Sequence, residues 1–263
     1  MSLDTTFNST ALSTLGFSTH VIRGRDLGKQ NRYSFDVPKI VGSIEVGKKF
    51  PANTLAVEGR LEGSSYSNLE ATIFPAFLAA LYSDEDETLV FNDKSTKYYN
   101  AQFDGLRIIK EESLFRILQV YFTCNDPLAY AVTPDTDSQT ITALDSTFVL
   151  TNSGHYYAYP TITVTFNQDQ SHFYIENQTI EDCRFDFSES FVSGDILIIN
   201  SKTGVITLNG TAFYSGFGSG GDGAFQFIKL AFGASAANLI CVGSDDATID
   251  IDVDSSWEKT YLS

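Results

Sequence analysis

The sequence predicts a mainly β protein of two domains, and three observations carry that reading. Apolar residues alternate with polar ones in most segments able to form regular structure, the period of a half-buried strand. Turn residues punctuate the second half at short intervals, at Ser193-Gly194, Lys202-Thr203-Gly204 and Asn209-Gly210. Near the middle, the apolar run that starts at Phe115 stops at Cys124-Asn125-Asp126-Pro127, because proline has no N–H and pushes the residue before it away from regular helix geometry.

Along the first half, strands are expected near Thr54–Leu61, Leu89–Phe91, Tyr98–Leu106 and Phe115–Thr123. One helix is expected, near Pro75–Tyr82. Pro75 suits a first turn, where its missing N–H would have no partner anyway, and Phe77, Leu78 and Leu81 fall on one stripe. The charged turn Ser83–Glu87 ends it. Such a helix would pack on a small sheet or open barrel.

A polar segment, Thr133–Thr142, follows the proline break, and a second set of strands begins. Thr161–Phe166 places Ile162, Val164 and Phe166 on one face and threonines on the other. Phe185 and Phe187 alternate with Arg184 and Asp186. Ile251 and Val253 point inward between Asp250, Asp252 and Asp254. Antiparallel strands with one wet face read this way. Asp195–Ile199 is apolar at consecutive positions, as for a central strand covered on both faces. Together these predict a β-sandwich with no helix of note.

Composition narrows the function classes. The chain has 263 residues, 43% of them hydrophobic and 13% aromatic, enough for two cores and against disorder. Thirty-three Asp+Glu against 17 Lys+Arg give a net charge of −16, a field that repels nucleic acid and argues against DNA binding. No apolar run reaches membrane-spanning length, so no membrane insertion is expected. The N-terminus has neither the basic start nor the apolar core of a signal peptide, so synthesis and assembly in the cytoplasm are expected. Three distant cysteines (Cys124, Cys183, Cys241) fit neither a disulfide framework nor a zinc site and read as small buried apolar residues.

Candidate chemistry is sparse. Gly216–Gly221 satisfies a phosphate-loop pattern, but the residues after it, Ala224–Leu230, read as a strand where a helix N-terminus is required. Asp250, Asp252 and Asp254 open like a calcium loop, yet Ser255 and Tyr261 stand where that loop needs glycine and glutamate, and strand alternation explains the carboxylates. Nucleophile-elbow and zinc-protease motifs are absent, and His20, His155 and His172 lack ligand spacing. The expectation is therefore no enzyme, no catalytic residues, no metal site and no cofactor. The cluster Tyr156, Tyr157 and Tyr159 before Pro160 suits either buried packing or a saccharide platform, with packing preferred.

A strand ending in Phe122-Thr123-Cys124-Asn125-Asp126-Pro127 with Tyr130 beyond it resembles the siphophage distal tail protein (Dit) family. Phe77–Tyr82, Thr88–Asp93 and Lys97–Ala101 are similar to that family's helix and following strands. Asn152–Pro160 is similar to the opening of its second domain, and Ser193–Ile199 with Gly204–Gly210 to a later strand pair. Two segments depart from the family pattern, Val37–Gly42 and Gly233–Asn238, which would alter loops at subunit or partner contacts.

The resemblance implies a ring-forming belt domain over residues 1–133 and a galectin-like β-sandwich over 134–263. It also implies a structural virion protein of a long non-contractile tail. Six copies would form a homohexameric ring at the tail tip, linking the tail tube protein to the tail-associated tip protein and to a receptor-binding protein. DNA would only pass through. The competing class is a lectin-like adhesin that binds host cell-wall saccharide. Two or more exposed rings beside carboxylates would favour the adhesin, and burial of Tyr156, Tyr157 and Tyr159 would favour the hub. A glycan hydrolase, the third reading, would need an open cleft with two carboxylates at about 5–9 Å.

Overall fold

The computed structural model describes residues 3–26, 30–36, 43–181, 183–214, 217–218, 227–233 and 236–262. The chain divides into two units, Met1–Val132 with Leu262–Ser263, and Thr133–Tyr261.

Unit 1 contains β1 (Thr5–Phe7), β2 (Thr10–Ala11), β3 (Phe17–Arg23), β4 (Asn31–Asp36), β5 (Ser43–Lys49), β6 (Asn53–Glu62), α1 (Tyr66–Asn68), α2 (Phe74–Leu81), β7 (Glu87–Phe91), β8 (Lys97–Glu111), β9 (Phe115–Cys124) and β10 (Ala129–Ala131). An open antiparallel sheet runs in the order β2-β1-β7-β8-β9-β6-β3, with β10 also pairing β8. It is a sheet rather than a barrel. The hairpin β4–β5 pairs only with itself among the described residues.

The register explains the core. Leu55 faces Phe122, Val57 faces Val120 and Leu61 faces Arg116, so the apolar positions of β6 and β9 share one buried side. Gly59 sits in that row for a steric reason. A Cβ there would come 2.4 Å from the Phe17 ring and 2.5 Å from the Ser18 carbonyl oxygen, so only glycine lets β3 lie this close to β6. Phe17 in turn meets Phe77 of α2, with ring centroids 5.0 Å apart.

The expected helix is present, but the helical segment begins at Tyr66 rather than near Pro75. The Ser65 side chain accepts the Asn68 N–H at 3.1 Å and caps α1. A π-helical turn, Leu69–Ile73, then leads into α2. That turn ends two residues before Pro75, whose ring would clash with the Ala71 carbonyl in an uninterrupted α-helix. Phe77 and Leu81 are fully buried, and the helix stops at Leu81.

Unit 2 contains β11 (Asp135–Ile141), β12 (Ser146–Thr151), β13 (Thr161–Phe166), β14 (Phe173–Asn177), β15 (Arg184–Phe187), β16 (Ile196–Asn200), β17 (Val205–Leu208), β18 (Thr211–Ala212), β19 (Phe217–Gly218), β20 (Ala237–Gly243) and β21 (Ile251–Trp257). Among the described residues they form two antiparallel sheets, β11-β21-β13-β16-β17-β18 and β12-β20-β14-β15-β19. Ile162, Val164, Phe166, Phe185, Phe187, Ile251 and Val253 are all buried in one sandwich core, as alternation requires. Phe166 stacks on Phe191 at 4.3 Å with the rings nearly parallel. Asn209 and Gly210 both have positive φ and join β17 to β18 by a two-residue turn, the geometry that an Asn-Gly pair favours.

Two expectations are corrected. Asp195–Ile199 is not covered on both sides. Leu197 and Ile199 are buried, but Ile196 is 41% exposed and Ile198 half-buried, because no layer of the unit lies over that outer face. Asp186, expected on a wet face, is buried, for reasons given below.

Candidate assembly surfaces

The break after β9 is built by one carboxylate. Asp126 Oδ1 accepts the Leu128 N–H at 3.1 Å, and Oδ2 accepts the Tyr130 hydroxyl. Tyr130 also lies 5.7 Å from Tyr98 of β8, ring to ring. The Asp-Pro-x-x-Tyr spacing therefore turns the chain out of β9 and returns it beside β8 as β10. Replacing Asp126 with alanine strands the Leu128 amide and the Tyr130 hydroxyl, and is expected to cost about 1–3 kcal/mol. A lowered urea midpoint at unchanged slope would show it.

Beside this turn, Cys124 is buried, and its thiol pKa is pushed up to about 12, first by burial and then by Asp86 and Asp126. Cys183 and Cys241 are also buried, free and shifted upward mainly by burial. All three are small buried groups, as expected, though Cys183 Sγ also accepts the Lys229 N–H at 3.3 Å and Cys241 Sγ lies 4.0 Å from the Tyr174 hydroxyl.

In unit 1 the helix is tied to the sheet by Arg116. Its guanidinium pairs with Glu70 of the π turn and with Glu111 of β8 at 2.6 Å, and lies 4.5 Å from the Phe74 ring centroid. Arg116 is buried, and the sequence offered no sign of its role except a cation at an inward strand position. Exposed large hydrophobic side chains lie elsewhere on the unit. Tyr33 and Val46 on β4–β5 are 56% and 66% exposed, and Tyr82, just beyond α2, is 71% exposed.

In unit 2 the calcium-like aspartates are consumed by neighbours. Asp252 accepts from Thr140 at 2.7 Å, Asp254 from Ser138, and Asn167 donates to both Asp250 and Asp252. They form a wet face bonded across strands. His172 Nε2 lies 2.6 Å from Asp186 Oδ1, and its Nδ1 accepts the Asp245 N–H at 3.1 Å. Arg184 pairs with Asp186 at 2.8 Å and with Glu176 at 3.3 Å, and stacks 4.0 Å over Tyr174. These contacts bury Asp186. Hydrogen bonds to both His172 and Arg184 meet its charge there. The three histidines are not brought together as ligands: His20 and His155 are exposed in separate places.

The tyrosine cluster meets neither of its two forecasts fully. Tyr156 and Tyr157 are half-buried and pack on Phe232, at 5.9 and 5.0 Å between centroids, with Lys229 5.5 Å over Tyr157. Tyr159 is 41% and Phe232 42% exposed. The phosphate-loop candidate Gly216–Gly221 lies outside the described residues except for Phe217 and Gly218. So do all of Val37–Gly42 and residues 234 and 235. Of Ala224–Leu230, residues 227–229 have no regular structure, and Leu230 makes an isolated bridge to Ala158.

Charge is divided unequally between the units. Unit 1 carries 13 Lys+Arg and 16 Asp+Glu, a net −3, whereas unit 2 carries 4 and 17, a net −13.

A helix-on-sheet unit and an antiparallel sandwich, with their polar clusters bonded internally, are the architecture that the following likenesses place among siphovirus-type tail components. Residues 153–257 match the family described as siphovirus-type tail component, C-terminal domain. The distal tail protein of Bacillus phage SPP1 is 24% identical over 200 residues, spanning 74% of this chain and 76% of that protein. The crystal structure of SPP1 Dit, described as a hub adsorption apparatus of phages infecting Gram-positive hosts, shares the fold. Its TM-score is 0.73 over 98% of this chain and 99% of that one, at 13% identity. The matched C-terminal domain, the sequence relative and the shared fold together support a distal tail (Dit) family protein. Likeness to such proteins supports a structural role at the tail tip and a place in the virion tail, and these relatives are named as tail components rather than enzymes.

Proposed function

We propose that this chain is a non-enzymatic hub of a long phage tail. Residues 1–133 act as a belt domain that closes six copies into a ring, and residues 134–263 form a peripheral galectin-like sandwich. The ring joins the tail tube protein to the tail-associated tip protein and carries the receptor-binding apparatus. DNA passes through without being bound, and no membrane is entered. Assembly takes place in the host bacterial cytoplasm. The observation that carries this reading is the match of fold along almost the whole chain to SPP1 Dit, together with sequence likeness to the same protein over three quarters of each.

The mechanism is mechanical. A ring closed by heterologous contacts presents different surfaces at its two ends, so it can couple a tube on one side to a tip on the other. The −16 net charge of each copy disfavours any grip on phosphate. Gold-labelled antibody against this chain, applied to virions, tests the placement. Label at the distal end of the tail is expected, and label on the capsid or along the whole tube would refute it.

The exposed rings of Tyr159 and Phe232 favour a second reading, a lectin-like module that binds host cell-wall saccharide. That reading requires measurable binding of purified cell-wall saccharide that Tyr159→Ala and Phe232→Ala abolish.

A further inference from the structure

Among the described residues, four strands end the two sheets of unit 2, and three of them are blunted as edges. β11 carries Asp135 and Asp137, and β18 and β19 span two residues each. The fourth, β12, runs through Ser146–Thr151 as STFVLT, with no charge, no proline and no shift of register against β20. Native proteins cover long uncharged edges of this kind, because the unpaired backbone groups template a further strand.

The backbone at this edge faces outward. Leu239 of β20 turns both its main-chain groups away from β12. Its N–H donates to Thr179 Oγ1 at 2.8 Å, and its carbonyl accepts the Gln178 N–H at 2.9 Å. Val149, directly opposite, is therefore in a non-hydrogen-bonded pair, and its own N–H and C=O point away from the sheet. Alternation gives Thr147 and Thr151 the same orientation, and all three residues are exposed. Val149 is 51% and Leu239 38% exposed, an apolar pair on the outer face beside the open edge.

The start of the strand is acidic. Asp145 directly precedes β12, and the chain of β20 runs on past Gly243 to Asp245. Both carboxylates are exposed, and among the described residues neither pairs with Lys or Arg. Asp145 accepts from the Tyr174 hydroxyl, and Asp245 lies 3.6 Å from His172 Nδ1. Unit 2 as a whole is strongly acidic, with 4 Lys+Arg against 17 Asp+Glu, so a second copy brought edge to edge would meet like charge.

We infer that β12 receives an extended segment of a different protein as an added strand, with Lys or Arg at the end beside Asp145 and Asp245. The outward N–H and C=O groups of Thr147, Val149 and Thr151 make the main-chain bonds. The Val149–Leu239 pair seats apolar side chains of the incoming strand, and the two carboxylates set its direction. The inference rests on the hub reading, in which the chain carries other tail proteins, and names how one of them is held.

The probe is a fluorescein-labelled peptide, Lys-Lys-Thr-Val-Thr-Val-Thr-Val, titrated with the full chain and followed by anisotropy. A second peptide replaces both lysines with glutamate. The lysine peptide is expected to bind, and the glutamate peptide to bind at least about tenfold more weakly. Asp145→Asn with Asp245→Asn is expected to weaken the lysine peptide about fivefold, as for two exposed ion pairs. Asparagine suits Asp145, whose φ is 53°. Val149→Pro removes an outward N–H and no bond to β20, so binding is expected to disappear from a folded chain. Val149→Lys leaves the backbone whole and sets a cation beside the edge, and it gives the same loss without requiring the proline to be tolerated. Wild type that binds neither peptide overturns the inference, and so does binding that survives both Val149 substitutions in chains shown folded by circular dichroism. Equal affinity for the two peptides overturns the basic partner. A solution mass that falls on Val149→Pro while neither peptide binds gives the edge to a second copy instead. The hub reading survives each of these failures, since the wild-type mass and the position on the tail decide it separately.

Discussion

Phe77→Ala is expected to destabilise unit 1 by about 3–5 kcal/mol, the range for removing a buried aromatic ring from a core. The magnitude follows from position. Phe77 is fully buried, and its ring rests 5.0 Å from that of Phe17. Phe17 is itself pressed against Gly59 of β6. The ring is therefore the middle of a stack that runs from helix to β3 to β6. In the helical segment, only Leu69 and Leu81 are as fully buried. Truncation leaves a void that the rest of the helix cannot close without moving Pro75 and the π turn. Ala79, exposed on the same helix, is the control, and Ala79→Ser is expected to change stability by less than about 0.5 kcal/mol. Far-UV circular dichroism in a urea titration would separate the two. A Phe77→Ala midpoint equal to wild type would show that the helix does not depend on this contact.

Phe166→Ala should have a comparable effect in unit 2, again about 3–5 kcal/mol. Phe166 ends β13 and is fully buried. It stacks on Phe191 at 4.3 Å and meets Phe173 edge-on at 5.6 Å, so it touches both sheets' contributions to one aromatic core. Stacked and edge-on pairs add about 0.5–1.5 kcal/mol each beyond area burial, which places this site at the upper end of the range. The readout is convenient, because the chain has a single tryptophan, Trp257, buried at the end of β21 in the same core. Its fluorescence transition is expected to move to lower urea in Phe166→Ala, whereas Thr147→Ala, at an exposed position of β12, leaves it in place. An unmoved transition in Phe166→Ala would contradict the single-core description.

Much of the strand content was legible because period-two alternation is imposed locally by the pleat. Ile162, Val164 and Phe166 had to share a face once Thr161–Phe166 formed a strand, whatever covered them. The early start of the helix was legible but missed: Tyr66, Leu69 and Ile73 continue the spacing of Phe77 and Leu81 toward the N-terminus, and Ser65 supplies the cap, whereas Pro75 drew the boundary too late. Ile196 shows the opposite limit. A run of consecutive apolar residues says that a strand is apolar on both faces, not that both faces are covered, and its outer face is open. Asp186 and Arg116 were illegible for a third reason. Their burial depends on partners distant in sequence, His172 in one case and Glu70 in the other. The assembly surfaces share that difficulty. Tyr33, Val46 and Tyr82 become conspicuous only once the fold leaves them exposed.

The most direct test of the hub account is the solution mass of the full chain at high protein concentration, by size exclusion with light scattering. The account predicts a species near six times the 28.9 kDa chain mass. A species that stays at 28.9 kDa across concentration and ionic strength would contradict it.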